Sequence, residues 1–592
     1  MLKLLRRMRR REVFTALLCA ALVLGQIYFD LSLPDYMSDL TALIKTPGSL
    51  PGDVAAVGGR MLLCALGSAV LSIAAGFLAA RTAAGFSFSV REDLFRRVLT
   101  LGNAELQEFS VPSLITRTTN DITQIQMVIA MGLQMVIKAP VMAVWAVAKI
   151  LGKSWELSAV TAAVVVVLCV TILCVLRVCL PRFRIVQKLT DQINRVAREN
   201  LTGIGVVHAF NAERYQNEKF DGYSREMMNT QMKNQKLFSL IQPVLSLGMN
   251  GLSLAVYWVG AALVQRTADA AGRLSMFTNV VVFSTYAMYV VMSFMMLVMI
   301  FMLAPAAQVS AERIGRVLAA QPAVTPGDRQ DAQEVGTVEF RDVSFRYPGA
   351  QEDALSGISF RVEKGQTLAI IGATGSGKST LIGLIPRFYD ATGGQVLLDG
   401  QDVRSFTFDA LYDRLGYVTQ KATLFSGTVE SNVFFGRGAA AETDEGLQTA
   451  LSLSQAAEFV NAYPEGAQHP IAQLGRNVSG GQKQRLAIAR ALARGAEILI
   501  FDDSFSALDY RTDAQLRAGL NTQMAGVTKI IVAQRISTIR HADEILVLDR
   551  GEIVGRGTHE ELLRTCEVYR EIAGSQLSER ELQEGGAQHE AE

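Results

Sequence analysis

Gly372-Ala373-Thr374-Gly375-Ser376-Gly377-Lys378-Ser379-Thr380 follows the apolar run Leu368-Ala369-Ile370-Ile371 and precedes Leu381-Ile382-Gly383-Leu384-Ile385. Strand, glycine loop and helix in that order make a phosphate-binding loop. Its backbone N–H groups turn inward around phosphates, and the helix N-terminus adds its dipole. Lys378 is placed to reach the β- and γ-phosphates, and the Ser379 hydroxyl to take a position on Mg²⁺. The stretch predicts a bound nucleoside triphosphate held by Gly372, Thr374, Gly375, Ser376, Gly377, Lys378, Ser379 and Thr380. A chance glycine-rich turn would not carry the Lys-Ser pair and both correct flanks.

The loop sits in a chain of 592 residues, long enough for two or more domains. Formal net charge is +1, and no basic stripe with interleaved aromatics occurs, so nucleic acid is not an expected partner. Mean hydropathy is +0.24, with 50% hydrophobic residues. That is high for a soluble protein and places part of the chain in lipid. Cys19, Cys64, Cys169, Cys174 and Cys179 lie in apolar runs and Cys566 stands far away. With no Cys-x-x-Cys pair they predict neither disulfides nor a zinc site, only small buried hydrophobes.

The apolar segments lie in the first half. Arg6, Arg7, Arg9, Arg10 and Arg11 precede a run from about Val13 to Leu33, too long for a cleaved signal and without a small-residue cleavage site. Further runs near 58–80, 128–151, 156–179, 241–264 and 279–303 bring the expected spans to six. The connections near 34–57, 152–155 and 265–278 are short and carry few basic residues. Those near 81–127 and 180–240 are long, polar, helical in pattern and arginine-rich (Arg91, Arg96, Arg97; Arg182, Arg195, Arg198). Excess Lys/Arg predicts that the long connections and both termini are cytoplasmic. Lys138, inside the third run, either faces a protein interior or watery cavity or snorkels to an interface. Met288, Met292, Met295, Met299 and Met302 fall on one helix face. Packing against a neighbouring helix is the first explanation, and an adaptable ligand surface the second.

Residues 318–336, with Pro322, Pro326 and Gly327, read as a linker. The predicted domains are a membrane domain at 1–317, a nucleotide-binding domain at 337–575 and an acidic, disordered tail at 576–592. Short β runs open the second domain at Thr337–Phe340 and Val343–Tyr347; Tyr347 is placed to meet the adenine ring. Ile498-Leu499-Ile500-Phe501-Asp502 is an apolar strand ending in an acid, which sets a carboxylate beside the Mg²⁺. Gln420 follows the strand-like Leu415–Val418 and is a third candidate on the metal. Ser479-Gly480-Gly481-Gln482 at the start of an amphipathic helix is a second anion-binding nest.

On these residues the chain resembles the ATP-binding cassette (ABC) exporter half-transporters. The phosphate loop and the Ser479–Gln482 turn are together highly specific, and the cassette motifs cover about 337–572. Ser113–Asp121 and Glu199–Ile204 match in the membrane half. The resemblance implies six membrane helices with long cytoplasmic extensions, in the manner of type I exporters, fused to an α/β nucleotide-binding domain. It also implies ATP and Mg²⁺ as cofactors, an integral protein of the cell (plasma or inner) membrane, and cassettes paired head to tail. Each ATP would lie between one chain's phosphate loop and its partner's Ser479–Gln482. Chromosome-structuring ATPases share the cassette but have coiled coils where this chain has spans.

The chain departs from the family pattern beside the nucleotide. Asp503 stands where a glutamate usually polarises the attacking water, and Gln534 where a histidine is usual. Aspartate is a methylene shorter, and a misplacement of ~1 Å can cost on the order of 100-fold in rate. Glutamine can donate a hydrogen bond but cannot become cationic. Ala472-Gln473-Leu474-Gly475 replaces a frequent Gly-Glu-Arg-Gly. Asp503, Gln534 and Gln420 are therefore the candidate catalytic positions of a weakened site. The expectation is a heterodimeric, multidrug-type exporter of amphipathic or drug-like compounds, in which this chain holds ATP and completes a second half-transporter's site. The competing readings are an ATP-binding gating subunit without transport work, and a slow homodimeric exporter of peptide or lipid.

Overall fold

The computed structural model describes residues 2–45, 50–151, 155–267, 269–436 and 443–577. Most of the expected tail, 578–592, lies outside them, as does the side chain of Met302. The chain folds as two compact units. One combines Met1–Val98 with Pro112–Ala319, and the other combines Leu99–Val111 with the chain from Ala320 onward.

Among the described residues of the first unit, six helical segments are long and apolar enough to cross a membrane, as the sequence predicts. Several run far beyond a bilayer. Pro51–Leu99 has 49 residues, Trp155–Thr202 has 48 and Ala270–Ala319 has 50. At ~1.5 Å per residue each is roughly 70–75 Å long, against ~30 Å of hydrocarbon. The polar stretches after 80 and 179 are thus continuations of the spanning helices. Ser113–Asp121 closes with a single π turn, Arg117–Asp121, and buried Asp121 accepts the Ser310 hydroxyl at 2.8 Å.

The interior of this unit is apolar around Phe283, Tyr286, Val290 and Val291 of the last span. Two ion pairs join the first and third spans, the second of them exposed. Lys138 Nζ meets Asp30 Oδ2 at 3.1 Å, and Lys149 Nζ meets Asp35 Oδ2 at 2.7 Å. Asp35 also accepts the buried Tyr286 hydroxyl at 2.8 Å. Lys138 therefore faces the interior and does not snorkel, since its acid partner sits on the first span. The methionine stripe divides: Met292 is 48% and Met299 43% exposed, while Met288 and Met295 are half-buried.

The second unit contains β1 (Val338–Phe345), β2 (Leu355–Val362), β3 (Thr367–Gly372), β4 (Gly393–Leu398), β5 (Gln401–Asp402), β6 (Leu415–Val418), β7 (Gly427–Thr428), β8 (Pro470–Ile471), β9 (Ile498–Asp502), β10 (Thr528–Val532), β11 (Glu544–Asp549) and β12 (Glu552–Gly557). The two β runs expected at 337–347 form the single strand β1, interrupted by a register shift at Asp342, whose φ is +50°. An antiparallel sheet orders β2-β1-β4-β5, and a six-stranded sheet orders β12-β11-β3-β10-β9-β6. In the larger sheet only the β11–β12 pair is antiparallel. Alternate residues of its strands enter two cores. Leu368, Ile370, Ile498 and Ile500 face the antiparallel sheet, while Ala369, Ile371, Leu499 and Phe501 face the helices around Leu486 and Leu516.

Leu99–Val111 is chain from the first half that packs in this second unit. Its helix Asn103–Phe109 is held through Glu105, which accepts the backbone N–H of Gly102 at 2.8 Å and of Ala323 at 2.9 Å. At the far end Gln576 is hydrogen-bonded and Leu577 packs on the core, so the folded domain runs past the expected boundary at 575.

Candidate functional site

The sheet order decides the site. β3, β10, β9 and β6 are consecutive neighbours and all parallel, so their C-terminal ends share one edge, where α/β sheets bind ligands. The phosphate loop leaves β3, Gln534 lies two residues past β10, Asp502 ends β9 and Gln420 lies two residues past β6. Segments spread from Gly372 to Gln534 in the sequence thereby converge.

Gly377 caps the helix Lys378–Gly383 with φ +100°. A Cβ there would also come within 2.8 Å of the Leu355 side chain and 3.0 Å of the Ala354 carbonyl, so both conformation and space require glycine. Lys378 Nζ donates to the carbonyls of Gly372 at 2.8 Å and Ala373 at 2.7 Å. Burial pushes its pKa down, while Asp503 and Asp502 pull it up. A phosphate would compete with two neutral carbonyls for a cation that burial leaves short of charge compensation.

The Ser379 hydroxyl donates to Asp502 Oδ1 at 2.9 Å, and Tyr417 hydrogen-bonds the same carboxylate. Burial raises the Asp502 pKa, and the neighbouring Asp503 charge raises it further against the Ser379 bond. A serine hydroxyl and a buried carboxylate side by side are hard oxygen donors, and they fit Mg²⁺. No cluster of three or more His, Cys, Asp or Glu suited to a metal occurs among the described residues.

Asp503 follows with φ +48° and is anchored by its N–H to the Val532 carbonyl at 3.0 Å. Its Oδ2 accepts the Gln534 side-chain amide at 2.8 Å and, more weakly, that of Gln420 at 3.4 Å. Asp503 therefore touches both of the other candidate catalytic residues. A residue that the sequence reading assigns to the tail supports this arrangement: Gln576 donates to the Gln534 carbonyl at 2.8 Å and accepts the Ile536 N–H at 2.9 Å. No motif marks it, because it lies 42 residues downstream and acts only through folding.

Tyr347 stands beside the loop, its hydroxyl 2.9 Å from Thr380 Oγ1 and its ring edge-on to Phe345 and Tyr389. Ser479 caps the helix Gly480–Ala493 in a capping box with Gln482. That turn makes no recorded contact with Lys378, Asp502 or Asp503 among the described residues. Its helix reaches the site indirectly, through Gln484 Nε2 on the Thr419 carbonyl at 3.4 Å.

Six membrane-crossing helices joined to a phosphate-loop α/β domain define an ATP-dependent membrane transporter. Residues 12–294 match the ABC transporter transmembrane region and 355–506 the ABC transporter family model. An ABC transporter ATP-binding protein of Mycobacterium tuberculosis is 38% identical over 91% of this chain and 93% of its own length. An ATP-dependent lipid A-core flippase of Aromatoleum aromaticum is 33% identical over 85% and 82%. A solved structure of a bacterial Atm1-family ABC exporter with ATP bound matches with a TM-score of 0.78 and 25% identity, covering 96% of this chain and 99% of that one. This chain belongs to the ABC transporter family, as an exporter half-transporter with the Atm1-family type I fold.

Proposed function

We propose that this chain is the weak-site subunit of a heterodimeric ABC exporter that moves amphipathic compounds out across the cell membrane. The observation that carries the reading is the 2.8 Å hydrogen bond from Gln534 to Asp503. Asp503 holds the position from which the family's glutamate polarises water, and one of its oxygens is already taken by an amide that cannot accept a proton in return. Gly372, Thr374–Thr380 and Tyr347 would grip ATP. Ser379, Asp502 and Gln420 would hold Mg²⁺, which when bound offsets the phosphate charge. Ser479–Gln482 would complete the partner's site. The boundaries at 317 and 337, with both termini cytoplasmic, belong to the same proposal.

The test is ATPase activity of the purified full-length chain, alone and with the half-transporter encoded beside it. The reading requires a nearly inactive lone chain, an active pair, and silencing of the pair when the partner's catalytic glutamate is removed. Brisk turnover by the lone chain as a homodimer sinks it. The 33% identity to lipid A-core flippases favours one alternative, a slow homodimeric exporter of lipid, and the lone-chain result separates the two.

A further inference from the structure

The third span carries Met131, Gln134, Met135 and Lys138 at i, i+3, i+4 and i+7 of the helix Ile122–Leu151, hence on one face. They line a cavity of about 350 Å³ in the membrane unit, together with Gln26 and Ser72 from the first two spans. No acidic side chain lines it. A second cavity, of about 390 Å³, is lined entirely by apolar residues, among them Val128, Gly132, Val136 and Ile300. Met131 and Met135 line both cavities, so the polar chamber adjoins the apolar one across two flexible thioethers.

The charge at the polar end is arranged asymmetrically. Asp30 has both oxygens occupied: Oδ1 accepts the Ser68 hydroxyl at 2.5 Å and Oδ2 accepts Lys138 at 3.1 Å. Lys138 has three N–H donors and spends one on Asp30. Asp30 is absent from the cavity lining, while Lys138 is part of it. The chamber thus offers an ammonium, two amides and a hydroxyl. With the Asp30 charge already paired, the remaining donors favour a head group rich in acceptors over a quaternary cation, which can accept no hydrogen bond.

We propose that these two cavities form one binding site for an amphiphile with an anionic head, a phosphate or carboxylate, seated on Lys138 and an acyl tail in the apolar chamber. The site rests on the exporter reading for its purpose, not for its chemistry. Asp30 positions the ammonium, and the arriving head group takes up its remaining donors. Met131 and Met135 adapt to the junction of head and tail.

The experiment is equilibrium binding to the full-length chain in phosphatidylcholine nanodiscs without ATP, corrected for uptake by empty nanodiscs. The probes are dodecyl phosphate, dodecanoate and dodecyltrimethylammonium. Both anions should bind at least tenfold more tightly than the cation. Lys138→Met combined with Asp30→Asn, which leaves no orphan charge, should abolish that preference, and Lys138→Arg should keep it. Retained binding of dodecyl phosphate by Lys138→Arg and an unchanged helical circular-dichroism signal and monodisperse elution of the double variant report that the membrane unit is folded. Equal binding of anion and cation, or a preference that survives the double replacement, overturns the site. Phosphatidic acid added to the nanodisc distinguishes sources: competition with dodecyl phosphate supports the site with a membrane lipid as occupant, and its absence supports the site with a soluble amphiphile. If the anions bind through Lys138 but ATP does not drive their movement in proteoliposomes that hold the chain together with its partner half-transporter, the exporter reading fails and the site stands.

Discussion

Gln534 holds Asp503. Its side-chain amide donates to Oδ2 across 2.8 Å, while the Asp503 N–H is fixed to Val532, two residues before Gln534, at 3.0 Å. Backbone and side chain of the acid are thus both tied to the segment that leaves β10. The pair is self-satisfied, which suits a position that contacts nucleotide more than one that must accept a proton.

If the site is weakened as proposed, replacing both partners should raise turnover. Asp503→Glu with Gln534→His should raise the lone chain's ATPase at least tenfold, toward the ~100-fold that a shift of about 1 Å can cost. Phosphate release under saturating ATP measures it. An unchanged rate would mean that Asp503 already serves as the base.

Lys378→Met should separate binding from folding. Its two strong contacts are to neutral carbonyls, so thermal stability should change little. Loss of a charge-assisted bond worth ~1.5–3 kcal/mol should weaken ATP roughly 10- to 100-fold, read with a fluorescent ATP analogue. Undiminished affinity would remove Lys378 from the site.

Asp502→Asn should trade function for stability. Burial raises the Asp502 pKa, so its ionised form disfavours the folded protein. Its contribution to stability is full below the ordinary aspartate value of about 3.9 and is lost as pH rises through the raised value. At pH 7 without nucleotide, the variant should melt about 2–4 °C higher, the shift that ~1 kcal/mol gives a domain of 150–250 residues. The advantage should shrink toward pH 4, and Mg²⁺-dependent hydrolysis should be lost. A lower melting temperature at pH 7 contradicts the account.

Gln576→Ala removes two hydrogen bonds from the segment 534–536. At ~1–2 kcal/mol together, this should speed hydrogen exchange of the Ile536 amide about 5- to 30-fold. Gln576→Glu keeps the acceptor for Ile536 and should retain much of the protection. Equal exchange in wild type and the alanine variant would show that the clamp does not act in solution.

The phosphate loop, the acid-ended strand and the six apolar runs were legible because each is local. Glycine spacing, a short apolar strand and a run of about 20 apolar residues are set by backbone conformation and transfer to lipid within a single segment. Single-chain reading also marked Asp503 and Gln534 as departures from pattern. It had no means of finding that they hydrogen-bond each other, or that Gln576 holds the second of them. Lys138 was visible as a charge in an apolar run, but its partner lay 108 residues away. Leu99–Val111 read as part of a membrane-domain connection, yet Glu105 accepts the Ala323 N–H and the segment folds with the second unit.

Sequence alone therefore determined the class of elements, their order and the residue types available for phosphate and metal. Tertiary structure decided which of them meet. Strand neighbours in the β3-β10-β9-β6 order and ion pairs between helices depend on contacts between segments far apart in the chain. No local periodicity encodes those contacts, because they form only when separate apolar faces are buried together.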